Sequence, residues 1–352
     1  MNREAQLIRR IARAIPSQGT TRRGERIPAK DLLRLGIGDD AAVIGTGTGA
    51  EMVISCDAFL ENVHFLGGKH PPDSVGYKSL ARAASDLVAM GAVPRLFLLT
   101  LALPASRTGA WLDGFLKGMS RAARELQMTL IGGDTSASSM VSVGITVVGE
   151  VASGKAVRRS GARPGDIIYV TGRLSGAQLG LELVKHSGPA GLKRVLQRHR
   201  RLLQPHLYPK IRVALGAWLG RRGVASAMMD ISDGLSTDLA RLCAASGVGA
   251  RLWAERIPRV AIPSLSSGSA GGAIATQIAR LKLDPLDMAL HGGDDYELLF
   301  TVPPKRVKRL QGAPGSSEFR AIGEVERGNR LTLVGADGRS HRLIPHGWDS
   351  FR

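Results

Sequence analysis

Residues 35–65 read LGIGDDAAVIGTGTGAEMVISCDAFLENVHF. The acidic pair Asp39-Asp40 stands in a glycine-flanked turn, an apolar run over 52–55 leads into Cys56-Asp57, and His64 follows seven residues later. An apolar run bounded by turn signals predicts a buried strand, and a carboxylate at its end is expected at the strand's mouth, where α/β sheets bind ligands. These acids are expected to hold metal ions.

At 352 residues the chain is long for one core, so two domains are expected, 1–152 and 153–352. A content of 43% hydrophobic and 22% charged residues fits a soluble globular protein. The two cysteines, Cys56 and Cys243, form no CxxC pattern, which suits a reducing, cytoplasmic compartment. No apolar run approaches the roughly 18 residues that cross a bilayer. The opening MNREAQLIRRIARAI carries charges where a signal peptide has its apolar centre, so no membrane association is expected.

The net charge of +18 admits nucleic acid, a membrane surface or an anionic small substrate as partner. The excess is local, in segments 3–34 (Arg3, Arg9, Arg10, Arg13, Arg22, Arg23, Arg26, Arg34) and 193–222 (Lys193, Arg194, Arg198, Arg200, Arg201, Lys210, Arg212, Arg221, Arg222). Aromatic residues make up only 4%, and no RNA-binding signature with paired aromatics accompanies the charge. These segments are read as solvated helix faces, and nucleic acid is not an expected partner.

In order along the chain, the spacing of apolar residues predicts a helix over 2–15, a Pro-initiated helix over 72–90 that carries Asp86, a strand over 95–103 and a helix over 107–127. A strand at Leu130-Ile131 closes on Gly132-Gly133-Asp134-Thr135, and another covers 141–151. The turn at 163–166 introduces a second half: a strand over 167–171, helices to about residue 222, and an apolar strand ending in Asp230 and Asp233, followed at once by a helix over 235–246. Its N-terminus would suit phosphate. A strand over 250–253, the small-residue loop SSGSAGG and a strand over 298–302 behind Gly292-Gly293-Asp294-Asp295 complete the main pattern. Mixed β and α elements of this kind predict an α/β (α+β) fold.

Two glycine-rich stretches carry no phosphate-loop meaning. GEVASGK over 149–155 is followed by Ala156 where a P-loop needs Ser or Thr, and reads as a turn after a strand. Gly45-Thr46-Gly47-Thr48-Gly49 lacks the dinucleotide spacing and reads as a loop. The recurring feature is a glycine-flanked acid at an element end: Asp39 and Asp40, Asp57, Asp86, Asp134, Asp230 and Asp233, Asp294 and Asp295. Oxygen ligands of this kind suit Mg²⁺, which shares its coordination with water and substrate phosphates. A basic chain that concentrates acids in its loops is expected to hold several Mg²⁺ ions against a polyphosphate.

GIGDDAAV, SCD followed by ENVHF, YKSLARAASDLVAMGAVP, LIGGDT, RSGARPGD, MDISDGLSTDL and GGDDYELLFTVP occur here in sequence. This ordered set resembles the thiamine-monophosphate kinase family, within the aminoimidazole ribonucleotide synthetase-like superfamily. The resemblance implies a two-domain fold of that superfamily, with a first domain that binds ATP and Mg²⁺ and dimerises through its strands, and a second that completes the nucleotide and substrate sites. It implies ATP-dependent phosphorylation of thiamine monophosphate to thiamine diphosphate in a homodimer. It further implies that Asp40, Ser55, Cys56, Asp57, Asp86, Asp134, Asp230 and Asp233 are Mg²⁺ ligands, with Asp57, Asp134 and Asp230 catalytic. Gly133, Asp134, Arg159 and Ser232 are then expected at ATP, and His64, Asp294 and Trp348 at the thiamine phosphate. Cys56 stands where the family has threonine, so its contribution is expected through the backbone carbonyl. Ile211 replaces a frequent proline and Asp294 a frequent glutamate. The rivals are a selenophosphate- or aminoimidazole-ribonucleotide-synthetase-like activity and an RNA-binding protein.

Overall fold

The apolar run of the opening stretch does not end at Cys56-Asp57. In the computed structural model, which describes residues 3–14, 32–47, 49–261, 275–276 and 278–349, strand β3 runs Ala50–Leu60. It pairs along its whole length with β6 (Ser142–Ala152). Eleven paired residues hold the chain extended past the acid, so Asp57 sits within a strand rather than at its mouth. Side chains alternate across a strand, which places Val53, Ser55, Asp57 and Phe59 on one face. Val53 and Phe59 are buried, so Ser55 and Asp57 are polar residues set into an apolar face.

The first sheet has the order β1-β2-β3-β6-β4-β5, with β1 at Leu33–Leu35, β2 at Ala42–Gly45, β4 at Val93–Leu103 and β5 at Thr129–Ala137. Strand β2 leads into the glycine stretch at 45–49, which joins it to its antiparallel partner β3. LIGGDT also continues as strand β5, held by parallel pairing to β4, where a strand closing at Ile131 was expected. The stretch at 149–155 is the end of β6 and a turn, as its sequence indicated.

Helix α1 spans Arg3–Ala14, α2 Pro72–Ala89 and α3 Ala110–Leu126. The helix expected from residue 107 begins at Ala110, after a short 3₁₀ turn at Ala105–Arg107, and ends on left-handed Gln127. Helices α2 and α3 approach closely because their contact is glycine: a Cβ on Gly76 would lie 1.9 Å from the Phe115 carbonyl oxygen, and one on Gly118 1.8 Å from that of Asp73. The core they close with the sheet includes Leu80, Leu87, Phe115, Val143 and Ile145. Full burial of each such side chain contributes about 1.5–3 kcal/mol.

The second sheet has the order β13-β12-β9-β11-β7-β10-β8, with β7 at Ile167–Thr171, β8 at Ala227–Ile231, β9 at Gly249–Trp253, β10 at Glu297–Val302, β11 at Phe319–Glu326, β12 at Leu331–Val334 and β13 at Ser340–Arg342. Its helices are α4 (Gly176–Lys185), α5 (Pro189–Arg198), α6 (Arg200–Leu207), α7 (Val213–Arg222), α8 (Leu235–Ser246) and α9 (Pro285–His291). Val88 and Ala89 of α2 pack with Leu215, Leu219 and Met228 in one cluster. Helix α2 is thus the shared wall between the sheets, which explains why it is buried almost all round. The loop SSGSAGG, the basic residues Arg22, Arg23 and Arg26, and Phe351 lie outside the described residues.

Candidate active site

Helix α2 presents Lys78, Arg82 and Asp86 at a spacing of four, on one face. This is the stripe turned toward β3 and the second sheet. Ser55 Oγ on β3 donates to Asp86 Oδ2 at 2.6 Å, and Ser85 Oγ donates to Asp230 Oδ2 at 2.6 Å. Asp40 joins them from the turn before β2, so carboxylate oxygens of Asp40, Asp86 and Asp230 all lie within 4.8 Å of one another.

Burial and mutual repulsion govern these acids. Burial, then Asp57, Asp230 and Asp40, push the Asp86 carboxyl well above the usual range. Burial and Asp40 push Asp230 up to about 7. Burial raises Asp40 as well, against the pull of Arg159, whose Nε donates to Asp40 Oδ1 at 3.1 Å. The other oxygen, Asp40 Oδ2, is buried without a hydrogen-bond partner. Three converging carboxylates and one orphaned oxygen fit a hard divalent cation, and a donor set made only of oxygen suits Mg²⁺ over the thiophilic metals.

Next to this triad, Arg82 Nε donates to Asp57 Oδ2 at 3.2 Å. Cys56 lies on the opposite face of β3, where the Thr146 hydroxyl donates to its Sγ at 3.4 Å. His64 closes the turn after β3 by accepting the Leu60 N–H at Nδ1, 3.0 Å. Burial and then Arg82 lower its pKa to about 4. The ring is therefore neutral at pH 7, and with Nδ1 engaged as acceptor its proton is on Nε2.

A second group of residues surrounds Ser232-Asp233-Gly234. Asp238, in the first turn of α8, accepts the N–H groups of Ser232, Asp233 and Gly234 on one oxygen at 3.1, 3.0 and 3.1 Å. Arg241 donates to Asp238 Oδ1 at 2.9 Å and also pairs with Asp233. The C-terminal segment is held here by its backbone. The N–H groups of His346, Gly347 and Trp348 donate to Ser236 Oγ, Thr237 Oγ1 and the Asp233 carbonyl at 3.4, 2.9 and 2.9 Å. The approach requires glycine at 347, since a Cβ there would lie 2.0 Å from the Asp233 carbonyl oxygen.

Asp294 sits in left-handed backbone with φ 69°. Its Oδ2 accepts from Lys78 Nζ at 2.7 Å and its Oδ1 from the Tyr296 hydroxyl at 2.7 Å. Burial alone would raise its pKa, but the Lys78 ammonium, which also donates to it, outweighs burial and holds it well below the usual carboxylate range. Asp295 has a different role: it accepts the N–H groups of Ser175 and Ala177 at 3.1 and 3.3 Å and so anchors the start of α4.

Residues 38–151 match the family of AIR synthase related proteins, N-terminal domain, and residues 163–336 its C-terminal domain. The thiamine-monophosphate kinase of Bacillus subtilis (strain 168) is 33% identical over 327 residues, covering 90% of this chain and 94% of that protein. The chain belongs to the thiamine-monophosphate kinase family. Among solved structures, AaThiL complexed with AMPPCP and TMP is 30% identical with a TM-score of 0.71, covering 89% of this chain and 91% of that one. The thiamine-monophosphate kinase of Stenotrophomonas maltophilia K279a is 32% identical with a TM-score of 0.69, covering 89% and 93%.

Within this member of the thiamine-monophosphate kinase family, the structure brings Asp40, Ser55, Asp57, Asp86, Arg159 and Asp230 together. Ser232, Asp233 and Trp348 form the adjoining group, and His64 and Asp294 flank the α2 stripe. Gly133 and Asp134 stand apart on edge strand β5, every residue of which is exposed. Asp134 pairs with Thr100, that with Gly144 and that with Ala58, so three strand spacings, roughly 14 Å, separate it from the row beside Asp57. Lys78, Arg82, Asp238 and Arg241 join the site without being among the residues expected from sequence. The signal for the first two was their period of four with Asp86 on an otherwise small and apolar helix. Asp238 gave no distinct signal, because an acid in the first turn of a helix is ordinary.

Proposed function

We propose that this chain transfers the γ-phosphoryl group of ATP to the phosphate of thiamine monophosphate, giving thiamine diphosphate and ADP by direct in-line displacement. The observation that carries this reading is the triad of Asp40, Asp86 and Asp230 at the junction of the two sheets, Asp40 and Asp230 buried and Asp86 half-buried, with Asp40 Oδ2 unpartnered. The complex of AaThiL with AMPPCP and TMP supports the same pair of ligands for a chain of this fold. Mg²⁺ would be held by Asp40, Asp86 and Asp230, with Ser55, the Cys56 carbonyl, Asp57 and Asp233 as further ligands, and a separate ion by Asp134 on β5; the ions would neutralise charge between two phosphorylated ligands.

The chain's own residues position and polarise. Arg159, Ser232 and the glycine backbone at 133 serve ATP. His64, neutral with its proton on Nε2, donates to a phosphate oxygen of the acceptor. Trp348, 48% exposed, offers its face to the cationic ring of the acceptor. The acceptor phosphate is already nucleophilic at neutral pH, so no general base is assigned.

A homodimer accords with the first sheet, whose edge strand β5 is exposed along with Leu98, Leu130 and Ile131. Such an edge and patch favour a second copy of the chain. Exposed Cys56 and buried Cys243, both free thiols, suit the cytoplasm. No described helix is long and apolar enough to cross a membrane.

The test is ADP release by the purified chain with thiamine monophosphate, with an aminoimidazole precursor, and with each after removal of Mg²⁺. Release that requires thiamine monophosphate and Mg²⁺ is expected. Release with the aminoimidazole precursor instead would reassign the chain within its superfamily.

A further inference from the structure

Arg82 stands between the two halves of the site. Lys78, Arg82 and Asp86 follow one another along one face of α2 at intervals of about 6 Å. At one end of this stripe Lys78 Nζ donates to Asp294 Oδ2 at 2.7 Å, on the side read as facing the acceptor. At the other end Asp86 belongs to the triad with Asp40 and Asp230. The Arg82 guanidinium lies within electrostatic reach of Asp57, Asp294 and Asp86, and His64 lies within reach of the same arginine and of Asp57 and Asp294. The side chains of Arg82, Asp57 and Asp294 are 16%, 26% and 29% exposed, so this middle position is open to a ligand.

Its anchoring differs from that of an arginine that only balances a buried charge. Arg212 is of that kind: its Nε and Nη2 donate to the two carboxylate oxygens of Glu297 at 2.6 and 2.7 Å, and its Nη1 pairs with Glu318. Arg82 gives Asp57 its Nε alone, at 3.2 Å, and no described residue accepts from its two terminal amino groups. Those groups carry most of the donors of a guanidinium. The guanidinium lies over the ring of Phe59, with Cζ 5.4 Å from the centroid, and Phe59 is buried and stacked on Phe65. Ala81, Ala83 and Ala84 around it are fully buried, so the backbone that carries Arg82 is fixed in the wall between the sheets. A guanidinium seated on an aromatic ring and pinned at Nε keeps its planar fork in one orientation, ready for phosphate oxygens.

We propose that Arg82 is a catalytic residue whose terminal N–H groups bind the phosphoryl group as it passes from ATP to the acceptor phosphate. This rests on the reading of the chain as a kinase for a phosphorylated acceptor, and adds to it a cation fixed in the protein. In an in-line transfer the bond from the γ-phosphorus to the ADP oxygen breaks, its electron pair leaving with ADP, while a bond from an acceptor phosphate oxygen forms. Negative charge then spreads over the three equatorial oxygens of the transferring group. Asp57, Asp86 and Asp294 would each repel that charge. A guanidinium already held among them neutralises it without reorganising at the moment of reaction.

Kinetics of the full-length chain with ATP, Mg²⁺ and thiamine monophosphate decide the role. For Arg82→Gln, kcat is expected to fall on the order of 1,000-fold, as for loss of an arginine at a transferring phosphoryl group, with both KM values within about threefold of wild type. Arg82→Lys keeps a positive charge beside Asp57 but not the planar fork, and a loss of roughly tenfold or more in kcat is expected. It carries the decision alone if the glutamine variant does not fold. A binding arm reads the same contact without turnover. With Mg²⁺ and thiamine monophosphate present, ADP with aluminium fluoride, a mimic of the transferring group, is expected to bind Arg82→Lys roughly tenfold more weakly than wild type, and ADP alone within about twofold. A lysine variant with kcat within about threefold of wild type, or a loss carried by KM or shared by ADP alone, would overturn the assignment and leave Arg82 as the partner of Asp57 only. A wild type that releases no ADP with thiamine monophosphate would overturn the kinase reading, and this assignment with it.

Discussion

Ser85 Oγ donates to Asp230 Oδ2 at 2.6 Å, a bond between α2 and β8 that spans 145 residues of sequence. One residue further along α2, Asp86 takes the Ser55 hydroxyl from β3. Two consecutive residues of one helix therefore tie the carboxylates of both sheets into one cluster, and the register of α2 sets the spacing of the triad. Ser85→Ala leaves a buried carboxylate oxygen without its donor, and a loss of about 1–3 kcal/mol is expected in urea unfolding. An unchanged midpoint would mean that the hydroxyl does not hold Asp230.

Asp57→Asn keeps the shape of the side chain beside Arg82 and removes its charge. A fall in kcat on the order of 100-fold is expected with the melting temperature little changed, because the lost quantity is electrostatic. Turnover at the wild-type rate would remove Asp57 from the metal assignment.

Gly347→Ala pushes a Cβ into the Asp233 carbonyl, 2.0 Å away in the present backbone, and must break the clasp that seats Trp348. KM for thiamine monophosphate is expected to rise roughly tenfold, with a blue or red shift in the Trp348 contribution to fluorescence. If the acceptor KM holds constant, Trp348 is not seated by this contact.

The buried histidines make a definite pH prediction. Burial, then Lys78, lower the His70 pKa from 6.5 to about 4. A lowered histidine pKa means that protons are taken up on unfolding, so its stabilising contribution is present above pH 6.5 and is lost as pH falls toward 4. The loss from this residue is roughly 3 kcal/mol, and His64 and His206 act in the same direction. Denaturant titrations of His70→Asn between pH 7 and 4 should show a shallower decline than the wild type, and an equal slope would place His70's titration near its ordinary value.

Leu130→Glu puts a charge on the exposed strand β5, where Leu130 is 51% exposed. Sedimentation is expected to show a dimer for the wild type and a monomer for the variant. A wild type that sediments as a monomer at micromolar concentration would leave β5 as an ordinary edge.

Much of the site was legible in the residues. Asp40, Asp86 and Asp230 announce themselves because each is an acid within glycine-rich or apolar surroundings, where an unpaired charge is otherwise unfavourable. Asp57 was identified but placed at a strand's mouth, since a short apolar run does not reveal how far its partner strand extends. Lys78 and His206 were passed over because a lysine on a helix and a histidine in a basic segment are usually solvated, and only packing shows that both are buried.

What the linear chain settles by itself is the kind of chemistry: the acids, their glycine-rich contexts and their order are local properties, written in consecutive residues. Which of these acids meet across the two sheets is decided only by tertiary structure. That convergence depends on contacts such as Ser85 with Asp230, 145 positions apart in the chain, and on the low-dielectric interior that such contacts create.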